Sequence, residues 1–191
     1  ERCRESKGGI TGDSCGFPMI DVRTKGFHPG ELIVIAARPA MGKTNMALNI
    51  VASYLRREQS VLMFSLEMTK AELCSRLFPI MSGVEYSKVQ SAQFDDVEWS
   101  QLSGFVGTSN DHGVIIDDDA SASISDIRAR ARKVKQRHGL DLIIVDYIGL
   151  VDAPGRSPTE VIENVSKGLK RLAKAMNCPV IALSQLSRKC D

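Results

Sequence analysis

Aromatic side chains are scarce in this sequence, with six Phe, three Tyr and one Trp among 191 residues. A protein that held single strands mainly by stacking bases on aromatic platforms would need more of them. Charge of one sign is missing too. The 25 basic and 23 acidic side chains leave a formal net charge of +2, so any basic patch that meets nucleic acid has to be local. Cys3, Cys15, Cys74, Cys178 and Cys190 form no C-x-x-C pair, and His28, His112 and His138 stand alone, so zinc-ligand spacing is lacking. An odd set of scattered thiols reads as a reducing compartment, and a cytoplasmic location is expected. No apolar run reaches 18 residues and the N-terminus is polar and charged, so neither a membrane span nor a signal peptide is expected.

What is present is an ordinary globular composition, 43% hydrophobic and 25% charged, in a length that suits one domain. Residues 1–16, charged and then punctuated by Gly8, Gly9, Gly12 and Gly16, read as a linker or arm, with the domain over 17–191. Five short apolar runs follow at Leu32–Ala36, Val61–Leu66, Val114–Ile116, Leu142–Val145 and Val180–Leu183. Most lack polar alternation, as strands buried on both faces do. Helix-period stretches at 44–58, 69–82, 94–106, 123–138 and 158–176 lie between them. This alternation predicts an α/β fold, a mostly parallel sheet with helices on both faces.

Two helix starts are legible. Ser157-Pro158-Thr159-Glu160 and Ser123 with Asp126 both read as capping boxes. The second helix carries six basic residues between Arg128 and Arg137, which read either as a solvated outer face or as a nucleic-acid face.

Ala37-Arg38-Pro39-Ala40-Met41-Gly42-Lys43-Thr44 fits the phosphate-loop spacing G-x-x-x-x-G-K-[ST] with Ala in the first glycine position. It follows a predicted strand and opens a predicted helix, the context the chemistry needs. Gly42 lets backbone N–H groups turn inward toward a triphosphate, Lys43 supplies a cation to the β- and γ-phosphates, and Thr44 offers a hydroxyl to Mg²⁺. The expected cofactors are therefore ATP and Mg²⁺.

The run Leu142–Val145 delivers Asp146 to a strand end, where its carboxylate is expected to hold Mg²⁺ through water. Asp117, Asp118 and Asp119 come too early for that role and read as a loop or helix-start cluster. Glu67, after the second run, is the candidate catalytic base, and Gln185, ending the last run, the candidate sensor of the γ-phosphate. Either residue, taken alone, is equally compatible with a polar strand end without duty.

In order along the chain stand Gly26-Phe27-His28-Pro29-Gly30-Glu31-Leu32, the phosphate loop, Phe64-Ser65-Leu66-Glu67-Met68, Asp95-Asp96 with Trp99, Ile144-Val145-Asp146-Tyr147, and Ala182-Leu183-Ser184-Gln185-Leu186-Ser187-Arg188. With these the chain resembles the C-terminal ATPase domain of DnaB-type replicative DNA helicases, bacterial or phage. The resemblance implies a RecA-like P-loop NTPase core, ring hexamers with ATP hydrolysed between subunits, and 5′-to-3′ movement on single-stranded DNA. It also implies Glu67 as the catalytic carboxylate, Gln185 as the coupling residue, and primase and a helicase loader as partners. The family usually has Gln where this chain has Gly149. It also continues beyond the position of Asp191 with a DNA-gripping loop, a basic finger and further strands, so a fragment truncated at the C-terminus is expected. Arg156, in the Pro154–Pro158 loop, is either a DNA-phosphate contact or an ordinary surface arginine. Two other classes share the phosphate loop: a RecA/RadA-like recombinase, and a nucleotide-gated loader or switch that does not translocate.

Overall fold

Five short runs rich in branched aliphatic residues become five strands of one sheet, and the central strands bury both of their faces. The computed structural model describes residues 9–100 and 113–186. The strands are β1 (Leu32–Ala37), β2 (Val61–Ser65), β3 (Val114–Asp117), β4 (Leu142–Asp146) and β5 (Val180–Gln185), in spatial order β1-β5-β4-β2-β3. Every neighbouring pair is parallel. All five residues of both β2 and β4 are buried, whereas β1 lies at the edge with Val34 54% exposed.

The two faces sort by strand alternation. Leu62, Phe64, Ile143, Val145, Val180 and Ala182 face one layer, built by helices Ile124–His138 and Pro158–Met176. Val61, Met63, Leu142, Ile144, Ile181 and Leu183 face the other, built by helices Lys43–Leu55 and Lys70–Ser82. Fully burying each of the Val, Leu, Ile, Phe and Met side chains among these contributes about 1.5–3 kcal/mol, so the two layers dominate the stability. In the first layer, Gly168 brings its helix against its neighbour: a Cβ there would lie 2.5 Å from Ile124 Cγ1.

Ser123 accepts from the Asp126 N–H while the Asp126 carboxylate accepts from the Ser123 N–H, completing the expected capping box. At Ser157 only half of it forms. The hydroxyl accepts from the Glu160 N–H, but the Glu160 carboxylate takes the N–H of Arg156, one residue before the cap. A third box, Thr69 with Glu72, starts the helix Lys70–Ser82 and holds the Glu72 carboxyl below its ordinary range.

The expected arm over residues 1–16 needs correction over its described part. Thr11 and Gly12 both donate to the Lys25 carbonyl, Asp13 pairs antiparallel with Phe27, and Cys15 is fully buried. The reason lies in the glycines. A Cβ on Gly12 would sit 2.6 Å from the Phe27 carbonyl oxygen, so this glycine serves close backbone approach, not flexibility. Asp21, on the short helix Pro18–Thr24, finishes the anchoring by accepting from the Ser14 hydroxyl and the Cys15 N–H.

Burial pushes the Cys15 thiol up to about 11 and the Cys178 thiol up to about 12, so both act as small core residues. A further short helix, Tyr86–Ser91, falls where none was expected. Of the helix expected over 94–106, helical residues begin at 96 and the part from 101 onward lies outside the described residues, as do Cys3, Cys190, His112, Ser187 and Arg188. Among the described residues no helix is long and apolar enough to cross a membrane.

Candidate functional site

In a parallel α/β sheet the strand ends and helix starts converge on one edge, and ligands settle there. β1 ends at Ala37, the loop turns, and the next helix opens at Lys43 with Gly42 as its N-cap at φ 80°. A Cβ on Gly42 would meet nothing within 4 Å, so glycine is needed here for the left-handed backbone, not for space. Ala40 also takes a positive φ, 62°, a conformation an alanine adopts at a cost. The loop thus presents the N-terminus of a 13-residue helix with its first N–H groups open to an anion.

Above this loop lies a cleft of about 260 Å³, lined by Ala37, Arg38, Pro39, Ala40, Gly42, Lys43, Thr44 and Asn45, with Glu67, Arg76 and Gln185 across it. Of the expected loop residues only Met41 is absent from the lining; its side chain is 73% exposed. Gln185 comes to the loop because β5 runs in register with β1, Gln185 opposite Ala37. Glu67 stands exposed two residues beyond the end of β2.

Asp146 joins the site from beneath. It is 1% exposed at the end of β4, and its Oδ2 accepts from the Thr44 hydroxyl at 2.7 Å across 102 residues of sequence. Lys43 Nζ lies 3.0 Å from Oδ1. That is a charge contact and not an aligned hydrogen bond, since buried Oδ1 has no hydrogen-bond partner. Lys43 Nζ also sits 4.5 Å from the centre of the Tyr147 ring, a cation–π arrangement. A Cβ at Gly149 would lie 2.8 Å from Tyr147 Cε2, so the glycine leaves this ring its room.

A hydroxyl and a carboxylate with one oxygen unbonded form a hard-oxygen donor pair that fits Mg²⁺. Among the described residues no group of three or more His, Cys, Asp or Glu side chains comes together as a metal cluster. Mg²⁺ suits such a sparse set, because it keeps several waters and leans on substrate phosphates.

Other expected residues fall elsewhere. Asp117 and Asp119 are held by the Arg130 guanidinium at 2.5 and 2.6 Å, and Asp118 accepts the Lys70 N–H at 2.9 Å. The aspartate cluster is therefore structural, tying β3 to two helices. Arg156 is exposed and does not line the cleft; its backbone N–H is engaged by Glu160. The sequence reading missed Arg76 and the Tyr147 ring as neighbours of the loop. Tyr147 carries no local signal beyond following Asp146, and Arg76 occupies an ordinary polar slot between the buried Leu73 and Leu77.

Residues 12–191 match the family described as DnaB-like helicase C terminal domain. The replicative DNA helicase DnaB of Haemophilus influenzae is 38% identical over 193 aligned positions, covering 98% of this chain and 41% of the relative. Its counterpart from Geobacillus stearothermophilus is 37% identical, with 100% of this chain and 43% of the relative covered. The chain thus spans about two fifths of the length of the curated relatives it matches. Among solved structures, a DnaB-like replicative helicase described with its interactions with primase superposes with a TM-score of 0.85 at 33% identity, covering 96% of this chain and 45% of that one. A second solved structure, described as an ATPase domain, superposes with a TM-score of 0.86, also at 33% identity, covering 96% and 67%. The fold is therefore RecA-like.

Proposed function

Because the chain belongs to the DnaB-like helicase C terminal domain family, we propose that it is the ATP-hydrolysing motor domain of a replicative DNA helicase, moving on single-stranded DNA to unwind the duplex. The observation that carries this reading is the convergence of Lys43 and Thr44 on buried Asp146, with Glu67 and Gln185 lining the same cleft.

Each residue has work to do there. The open N–H groups at the start of helix Lys43–Leu55 bind the phosphates, and Lys43 leaves Asp146 to neutralise the β- and γ-oxygens. Thr44 and Asp146 hold Mg²⁺, which when bound supplies charge stabilisation to the transferring phosphoryl group. Glu67 orients the attacking water and accepts its proton. Gln185 reports the γ-phosphate to the segment that follows β5. Arg156, exposed after β4, is available to DNA phosphate. The resemblance extends the proposal to a homo-hexamer, to primase and loader partners, and to a cytoplasmic setting.

The test uses the full-length protein. Single-stranded DNA should stimulate Mg²⁺-ATP turnover, and Glu67→Gln should lower kcat by about 10²-fold or more while nucleotide affinity stays within about 3-fold. Turnover that survives this change while affinity falls would assign the role elsewhere.

A further inference from the structure

We propose that Tyr147 is a positioning residue whose ring holds the Lys43 ammonium over Asp146 while the cleft is empty, so that the lysine keeps the metal's place until a nucleotide draws it away. This rests on the nucleotide reading of the cleft and adds to it the residue that sets when Asp146 opens to a divalent cation.

The lysine is held without a directional bond. Its side chain is 11% exposed and that of Asp146 2%, so both charges have given up most of their water. Nζ lies 3.0 Å from Asp146 Oδ1, yet Oδ1 accepts no hydrogen bond, and among the described residues no other acceptor engages the ammonium. Its second neighbour is the Tyr147 ring, with Nζ 4.5 Å from the ring centre. The face of an aromatic ring is electron-rich, and its attraction for a cation grows as water is excluded. A carboxylate on one side and a π face on the other therefore compensate an ammonium that lacks hydrogen bonds. Neither contact depends on alignment, so the lysine passes readily to phosphate oxygens, which offer the hydrogen bonds it lacks here.

The ring itself is fixed. Tyr147 is half-buried and packs on the layer that contains Met63, Leu142 and Ile144. Its carbonyl accepts from the Leu150 N–H at 3.1 Å, closing the short turn Ile148–Leu150, whose first residue is buried. The phenolic hydroxyl makes no hydrogen bond among the described residues, so the face of the ring and not its hydroxyl meets the lysine. Held this way, the ammonium guards the carboxylate. The Thr44 hydroxyl donates to Oδ2 at 2.7 Å and the lysine stands at Oδ1, the oxygen left for a metal. Two cations at one carboxylate oxygen repel, so Asp146 opens to a divalent cation only once Lys43 has moved. Coupling of this kind is reciprocal: whatever holds the lysine in the empty site weakens the metal there.

The experiment measures Mn²⁺ binding to the nucleotide-free full-length protein by electron paramagnetic resonance, counting only the binding that Asp146→Asn removes. Tyr147→Leu keeps an apolar side chain without a π face and should raise the Mn²⁺ affinity about 3–30-fold, while Tyr147→Phe stays within about 2-fold of wild type. Lys43→Met should raise it at least as much. Adding Tyr147→Leu to Lys43→Met should bring no further gain, because the ring acts through the lysine. Tyr147→Met, flexible enough to fill the ring's room, carries the test if the leucine variant does not fold. A Mn²⁺ affinity that Tyr147→Leu leaves unchanged, or a gain that persists without the lysine, overturns the proposal while leaving the cleft a nucleotide site. A wild type that binds no ATP analogue overturns the nucleotide reading of the cleft, and the release of the lysine with it.

Discussion

β3 and β4 both run out into aspartate at the same edge of the sheet, Asp117 closing one and Asp146 the other, with β2 between them. The two ends differ in what reaches them. Asp117 and Asp119 are neutralised by one arginine, Arg130, only 13 and 11 residues further along the chain. Ser121 donates to Asp119 as well, through its hydroxyl and its N–H. Asp146 is met by Lys43 and Thr44 from the far side of the sequence, and one of its oxygens still has no hydrogen bond. A carboxylate satisfied by its neighbours is architecture. A buried carboxylate left partly unsatisfied, beside a lysine and an anion-binding helix start, is poised for a ligand.

The strongest way to break this comparison is to neutralise the β4 end. Asp146→Asn in the full-length protein should lower Mg²⁺-dependent ATP turnover on the order of 10²–10³-fold, the scale of losing one preorganised electrostatic contact. A loss under about 3-fold in a steady-state assay would put Asp146 on the same footing as Asp117.

Arg130→Ala attacks the other end and should act on stability alone, lowering the melting temperature by at most about 4 °C at neutral pH with nucleotide affinity unchanged. Its pH dependence sharpens the test. Hydrogen bonds from Arg130, then from Ser121, hold the Asp119 carboxyl down at about 2 against an ordinary 3.8. A depressed carboxyl contributes stability that is complete above its unfolded value and is lost as pH falls toward the folded one. The gap between wild type and variant should therefore close as pH falls from about 4 to 2 in thermal melts. A gap that widens with acid would contradict the assignment.

Asp118→Ala should be mildest, about 0.5–1 kcal/mol in denaturant titration. It removes one acceptor from the start of helix Lys70–Ser82 while Thr69 still caps it.

How far the sequence could be read follows the same contrast between local and distant partners. The strands were legible because runs such as Leu142–Val145 are apolar without interruption, the mark of burial on both faces. Of their last residues, Asp146 and Gln185 were legible as strand ends, whereas polar Asp117 looked like loop and yet remains in register with β2. The phosphate loop was legible because its turn, cation and hydroxyl are neighbours in sequence. The helices Pro18–Thr24 and Tyr86–Ser91 span only seven and six residues, too short for a periodic pattern to stand out. The Thr69–Glu72 box was written plainly in T-x-x-E spacing and went unread. Arg76 and the Tyr147 ring were beyond reach, since each meets the loop only through tertiary packing.

The most direct test of the account is a titration at fixed Mg²⁺ of a fluorescent ATP analogue into wild type and Lys43→Ala, below the melting transition of both. The account predicts saturable binding by wild type and a loss of about 100-fold or more in the variant, because Lys43 is the cation carried at the loop's own helix start beside Thr44 and Asp146. Affinities within about 2-fold of each other would contradict it, by showing that the loop at the end of β1 does not hold the nucleotide.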